Sequence, residues 1–207
     1  MPTDRYAPRK QARQSRARET IEGILQASAQ IVARHGLEGL TTNHIAERAG
    51  VSIGSLYQYF PGKDAVFHSL IEREFNRSVD VLVGEIEGIS AATCSLEEAI
   101  ARVVRRVFEV NRSKAPFLRQ LLLAAVSIRH LQFTLGNDAR VLAALRAKLR
   151  EYGDAVDHDA LPAATFLALY ALKGVQIGVL FGHEPHDGAR LEALLVRTLH
   201  ALVAGAR

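Results

Sequence analysis

The sequence predicts an all-α protein, with an N-terminal three-helix helix-turn-helix domain joined by a long helix to a second helical domain. Three observations predict it. Apolar residues recur at intervals of three and four rather than two. Thr, Ser and Asp at helix starts and glycines at helix stops punctuate those runs at helical lengths. No strand-period segment, internal repeat or low-complexity tract interrupts the pattern. At 207 residues and 48% apolar, the chain is long enough for one or two domains with a sizeable core.

Taken in order, Ile21, Ile24, Leu25, Ser28 and Val32 form one face of a first helix over about 17–35, stopped by His35-Gly36. Thr41 and Thr42 offer a cap for a short second helix carrying Ile45, Ala46 and Ala49 and closed by Gly50. Ser52 caps a third, which holds Leu56 and ends near Phe60, before Pro61-Gly62 breaks the chain. From Lys63, the residues Phe67, Leu70, Ile71, Phe75, Leu82, Ile86 and Ile89 trace a stripe long enough to link two domains. Ser95-Leu96-Glu97-Glu98 reads as a capping box opening the next helix, in which Ile100, Val103, Val104, Val107 and Phe108 face inward. Pro116 suits the first turn of another helix, and Asn137-Asp138 the cap of a further one bearing Leu142, Leu145, Leu149 and Tyr152. Two more are expected near 161–182 and 188–205. The resulting domain boundaries are a basic arm at 1–15, a helix-turn-helix domain at 16–62 and a helical domain at 63–207.

The stretch 161–182 is apolar at 15 of 22 positions, which is the length of a membrane span. Lys173 near its middle, at a cost of roughly 2.5 to 3.5 kcal/mol in a bilayer, argues instead for a core helix buried on both sides. The last helix, with Leu191, Leu194, Leu195, Leu199 and Leu202 in a stripe, offers a second such surface. Two helices from each of two copies would complete a four-helix bundle, so a homodimer with no membrane association is expected.

Charge divides unevenly. Residues 1–18 carry six basic side chains (Arg5, Arg9, Lys10, Arg13, Arg16, Arg18) against Asp4, whereas the other 189 residues carry 20 basic and 21 acidic. The surplus positive charge therefore sits in one short arm that cannot pack by itself and suits a polyanion. The single Cys94 excludes a disulfide framework or a Cys-rich zinc site, and the N-terminus lacks a secretion signal, so a cytoplasmic setting is expected.

The segment from Leu40 to Phe60, LTTNHIAERAGVSIGSLYQYF, holds the chemistry. A short helix ends at Gly50, which can take a left-handed conformation; Val51 plugs the angle between helices and Ser52 restarts the chain. Ile45, Ala46, Ala49, Val51 and Leu56 make the buried side. Ser52, Ile53, Gly54, Ser55, Gln58 and Tyr59 make the open one, short or hydrogen-bonding groups at a helix N-terminus that fit a major groove.

These residues, Thr-Thr-x-x-Ile-Ala-x-x-Ala-Gly-Val-Ser-x-Gly-Ser-Leu-Tyr-x-Tyr-Phe followed by Lys63, resemble the TetR-type (TetR/AcrR) family of bacterial transcriptional regulators from about Arg16 to Phe75. The resemblance implies a dimeric repressor of a double-stranded DNA operator, with a divergent C-terminal domain that binds a small-molecule inducer. It implies that Thr42 caps the second helix and touches phosphate. It places Ser52, Gly54, Ser55, Gln58 and Tyr59 along the recognition helix, Tyr57 as a brace or backbone contact, and Lys63 on phosphate. Asn43 stands where many members carry a charged residue. Arg16 and Arg18, at the end of the arm, lie directly before the motif.

For the inducer, Phe108, Phe117, Leu121, Phe133, Phe166 and Tyr170 are the candidate pocket residues, with Arg112, Arg119 or His130 to orient a polar group. Two other chemistries were weighed. Gly50-Val-Ser-Ile-Gly54 matches a hydrolase nucleophile pattern, but a helix rather than a strand precedes Ser52. The loops at Asp157-His-Asp159 and His183-Glu-Pro-His-Asp187 hold metal-compatible side chains, which keeps a helical enzyme or metal-responsive sensor as the alternative. The intervening helix is about 30 Å long, and loops at its two ends cannot meet within one chain. Neither a catalytic constellation, a bound metal nor a cofactor is expected.

Overall fold

The computed structural model describes residues 15–124, 128–183 and 187–204. Within them every regular element is helical, as the apolar periodicity requires. The chain divides into two units, one formed by Met1–Phe75 with Pro116–Ser127, the other by Asn76–Ala115 with Ile128–Arg207.

In the first unit, α1 (Ser15–His35) ends as expected at Gly36, whose φ of 68° is the left-handed conformation that glycine adopts without strain. Ile24, Ile31 and Val32 on its inner face are fully buried, and Ser28 among them donates its hydroxyl to the Ile24 carbonyl at 2.8 Å, which satisfies that buried donor. α2 (Thr42–Ala49) and α3 (Ile53–Tyr59) add Ile45, Ala46 and Leu56 to this core, and Phe60 closes it. α4 (Lys63–Glu87) contributes Val66, Leu70 and Ile71 before running on into the second unit. Arg73, nearly buried on α4, pairs with Glu22 of α1 at 2.9 Å and with its buried neighbour Glu74 at 2.7 Å.

The second unit holds the remainder of α4, most of α5 (Leu96–Ala124), α6 (Ile128–Arg150), a 3-10 turn at Gly153–Ala155, α7 (Leu161–Leu180) and α8 (Gly188–Val203). The capping box forms as read: the Ser95 amide donates to Glu98 Oε2 at 2.8 Å and the Glu98 amide to Ser95 Oγ at 3.3 Å. The Ser95 amide and the Ser95 hydroxyl both donate to the Glu98 carboxylate and hold it below its ordinary pKa. Asp187 caps α8 by accepting from the Arg190 amide at 2.9 Å.

Two expected helix starts are not starts. Pro116 lies inside the 29-residue α5, at the position where that helix passes from the second unit to the first. Continuous amphipathic pattern on both sides outweighed the local preference of proline for a first turn. Asn137 and Asp138 lie inside α6 and are buried. Asp138 accepts the Tyr170 hydroxyl of α7 at 2.9 Å and pairs with Lys173, which accounts for a lysine in an otherwise apolar helix. The Asp138 bond and burial raise the Tyr170 pKa.

α7 alone among the described helices is long and apolar enough to cross a membrane. One side of it is core, with Leu161, Ala164, Leu169, Leu172 and Leu180 buried, and it packs between α6 and α8. The other side leaves Phe166, Leu167 and Ile177 about half exposed, and Leu194 on α8 is similarly exposed.

Candidate functional site

The helix-turn-helix is built from three local devices. Thr41, not Thr42, is the cap of α2: it takes extended backbone angles and its hydroxyl accepts the His44 amide at 3.2 Å. Of two adjacent threonines only one can hold that geometry, and Thr42, one step inside, turns its hydroxyl toward the Tyr57 hydroxyl 3.5 Å away. Gly50 ends α2 at φ 67°, and the Val51 amide returns to the Ala46 carbonyl at 3.0 Å, which swings the chain into Ser52. Ser52 then caps α3, accepting the Ser55 amide at 3.0 Å, while the two serine hydroxyls bond each other at 2.8 Å.

The 3.6-residue period sorts the side chains of α3. Leu56 and Phe60 point into the core and Tyr59, three residues after Leu56, packs against it half-buried. Tyr57 lies outward instead, four residues after Ile53, and both are 40% exposed. Tyr59, expected on the open side, is turned toward the core, whereas Tyr57, expected as a brace or backbone contact, lies outward. Ser52, Gly54 and Gln58 are exposed with them, Ser55 is half-buried, and Asn43 and Lys63 are exposed on α2 and at the start of α4. Arg18 is exposed on α1; the side chain of Arg16 and the arm before it lie outside the described residues. The outcome is one small face of backbone amides, hydroxyls, an amide side chain and two large apolar groups, presented around the N-terminus of a helix. Such a face can donate to phosphate oxygens, bond base edges and meet a thymine methyl.

Ile53, expected on the open side, is an exposed β-branched aliphatic at the first helical position of α3.

Gly54 is informative for a different reason. Its backbone is not left-handed, and a Cβ placed there would meet nothing nearer than Ser52 Oγ at 3.8 Å. Nothing among the described residues demands a glycine there.

A second candidate site lies wholly within the second unit: an apolar cavity of about 70 Å³ between α4, α5, α6, α7 and α8. Its walls are aliphatic, among them Leu82, Ile86, Val103, Leu145 and Leu169, and Lys148, Tyr152 and Thr165 line it with carbon atoms only. None of the aromatic candidates lines it. Phe108 is buried in a neighbouring cluster with Arg112 over its ring at 5.7 Å, and Arg112 itself pairs with Glu192. Phe117 and Leu121 belong to the first unit, where Leu121 is buried and Phe117 packs beside it; Arg119 is exposed in the same segment. Phe166 and Tyr170 stack at 4.6 Å on the outer side of α7. The side chains of His130 and Phe133 lie outside the described residues.

The loop residues weighed as metal ligands serve local geometry. Asp157 accepts the amides of Asp159 and Ala160, both at 3.0 Å, His158 bonds the Gly153 carbonyl at 3.1 Å, and Asp187 is the α8 cap. Among the described residues no three His, Cys, Asp or Glu side chains gather in a metal-binding group; Glu184, Pro185 and His186 lie outside those residues.

Residues 24–70 match the family model for bacterial regulatory proteins of the tetR family. Over 60 residues the chain is 42% identical to the HTH-type transcriptional repressor KstR of Mycolicibacterium smegmatis, a stretch that spans 29% of this chain and 29% of KstR. The likeness of fold extends further. A TetR-family transcriptional regulator of Mesorhizobium loti superposes with a TM-score of 0.76 at 17% identity, covering 93% of this chain and all of the other. The fatty acid degradation regulator FadR of Bacillus halodurans gives 0.63 at 20% identity, covering 88% and 95%.

Proposed function

From the premise that this chain carries a TetR-family DNA-binding domain on a helical fold shared with TetR-family structures, we propose that it is a dimeric transcriptional repressor, released from a palindromic operator by a small molecule. The observation that carries this reading is the outward face of α3, where Ser52, Ile53, Gly54, Tyr57 and Gln58 stand exposed beyond a left-handed turn. Gln58 reads a base edge, Ile53 meets a thymine methyl, and Thr42, Asn43, Ser52, Ser55, Tyr57 and Lys63 hold the backbone, with Tyr59 supporting from beneath. Arg16 and Arg18 continue the basic arm along phosphate. Two such faces enter successive major grooves about 34 to 36 Å apart, or a multiple of that, which is why the operator is palindromic. The protein works in the cytoplasm, where its operator is.

Selection from a random duplex library, followed by fluorescence anisotropy on the recovered sequence, tests the proposal. The expected product is an inverted repeat. Gln58→Ala should relax preference at one position per half-site by about 1 to 3 kcal/mol, whereas deleting residues 1–14 should weaken binding to all sequences and flatten its salt dependence. Recovery of no enriched duplex at low salt would refute the reading.

The dimer is supported by the uncovered apolar side of α7 and α8. Phe166, Leu167, Ile177 and Leu194 form the half of a four-helix bundle that a second copy completes. Leu167→Arg should yield a monomer in sedimentation equilibrium and lower operator affinity about a hundredfold or more, because the second half-site loses its tether. A dimer that survives this change would move the interface elsewhere.

The cavity bounded by α4, α5, α6, α7 and α8 is the place for the inducer. Leu82 and Ile86 of its wall lie on α4, the helix that begins at Lys63 beside α3. A ligand that fits best when α4 is displaced lowers operator affinity by its differential affinity for the two states.

A further inference from the structure

We infer that the cavity of the second unit recognises a small hydrocarbon group by shape and dispersion alone, with no hydrogen bond, and rejects an isostere that carries an oxygen. Its biological meaning rests on the regulator reading; the site itself follows from where the polar atoms of the wall residues are engaged. Thr165 donates its hydroxyl to the Leu161 carbonyl at 2.8 Å and accepts from Arg146 Nε at 3.1 Å. Lys148 places its ammonium on the Ile89 carbonyl at 2.7 Å and on Glu151 at 3.0 Å, leaving only its stem to the cavity. Ile89 and Tyr152 are the wall residues outside the helices, where a backbone group could have been left open. Neither leaves one: the Ile89 amide donates to the Ile86 carbonyl at 3.3 Å, the Tyr152 amide to the Leu149 carbonyl at 3.1 Å, and the Tyr152 carbonyl accepts the Ala155 amide at 3.2 Å. A guest in this chamber meets carbon on every side.

Such a chamber does not hold water, because a buried water needs two or more polar partners. Left dry, it deprives its lining atoms of contacts on one side. A hydrocarbon restores those contacts and gives up no hydrogen bond on entering. An oxygen-bearing guest loses its bonds to water and finds no replacement, so the wall itself selects against it, and against a charged guest more strongly still. Size narrows the class further. The cavity, about 70 Å³, is roughly half of one that holds benzene, at about 150 Å³, so the guest is smaller than a benzene ring: a short or branched alkyl or alkenyl group.

The experiment is an NMR titration of methyl-labelled, DNA-free full-length protein with isobutene and acetone, planar molecules of nearly one shape in which a methylene is exchanged for an oxygen. Isobutene should shift the methyl signals of Ile86, Val103 and Leu169 saturably and leave those of Ile24 and Ile45 in the first unit unmoved. Acetone should bind at least about tenfold more weakly, and benzene more weakly than isobutene. Ala99→Leu, which extends a side chain of the cavity wall, should abolish the isobutene shifts. Absence of saturable shifts in the native protein, or equal shifts in both units, would overturn the cavity as a site and leave it a packing void. Acetone binding as tightly as isobutene would overturn the hydrocarbon class, and benzene binding more tightly would overturn the size limit. A folded Ala99→Leu protein that still binds isobutene would overturn the assignment to this cavity; if that variant does not fold, the native-protein titrations decide. Operator binding measured separately with and without isobutene distinguishes the two levels: a bound hydrocarbon that leaves operator affinity unchanged overturns the inducer role and not the site, whereas failure of the native protein to bind any duplex overturns the regulator and not the site.

Discussion

Leu121→Ala should destabilise the DNA-binding unit by about 2 to 5 kcal/mol and abolish operator binding at physiological temperature, although Leu121 lies sixty residues beyond the recognition helix. Its side chain is 1% exposed and sits in the same cluster as Ile24, Ile45, Leu56, Phe60 and Leu70. Truncation leaves a void among residues already at crystal-like density, so the cost includes the lost contacts as well as the transfer of the removed atoms. Urea denaturation followed by far-ultraviolet circular dichroism, with anisotropy on the operator, measures both effects. Unchanged stability would show that the segment from Pro116 onward is not part of that core.

Gly54→Ala should do the reverse, stabilising the free protein by up to about 1 kcal/mol while reducing operator affinity about tenfold or more. Alanine lowers the backbone entropy lost on folding and finds open space in the protein. The same methyl would occupy the room through which the duplex backbone approaches α3. A thermal melt and a binding titration on one preparation are enough. A variant that gains stability and keeps its affinity would mean that the duplex never comes near Gly54. The opposite signs are what separate a functional glycine from a structural one, and Gly50, with its positive φ, is the structural kind.

Most of the helical framework was legible because its signals are local. Gly36, Gly50, Ser52 and the Ser95–Glu98 box each act within four residues, and the sequence shows them directly. The misreadings share a cause in longer range. Asn137-Asp138 has the composition of a cap, but Asp138 is committed to Tyr170 and Lys173 more than thirty positions away. Pro116 has the preference of a helix start, yet the apolar faces on both sides belong to one helix. The pocket candidates were chosen for aromatic identity, whereas the cavity is walled by aliphatic residues from five helices that no local pattern assembles. Tyr57 and Tyr59 are two residues apart, about 200° around a helix, so the two cannot share the outward face, and Tyr59 is the one that packs on the core.

The placement of Pro116–Ser127 with the first unit has a practical consequence for anyone recombining its units with other chains. A chimera that grafts residues 1–75 onto a foreign sensor would carry a hydrophobic hole where Phe117 and Leu121 belong, and would be expected to misfold or recruit chaperones. The transplantable module is two pieces of chain, and a crossover designed at a single junction cannot move both.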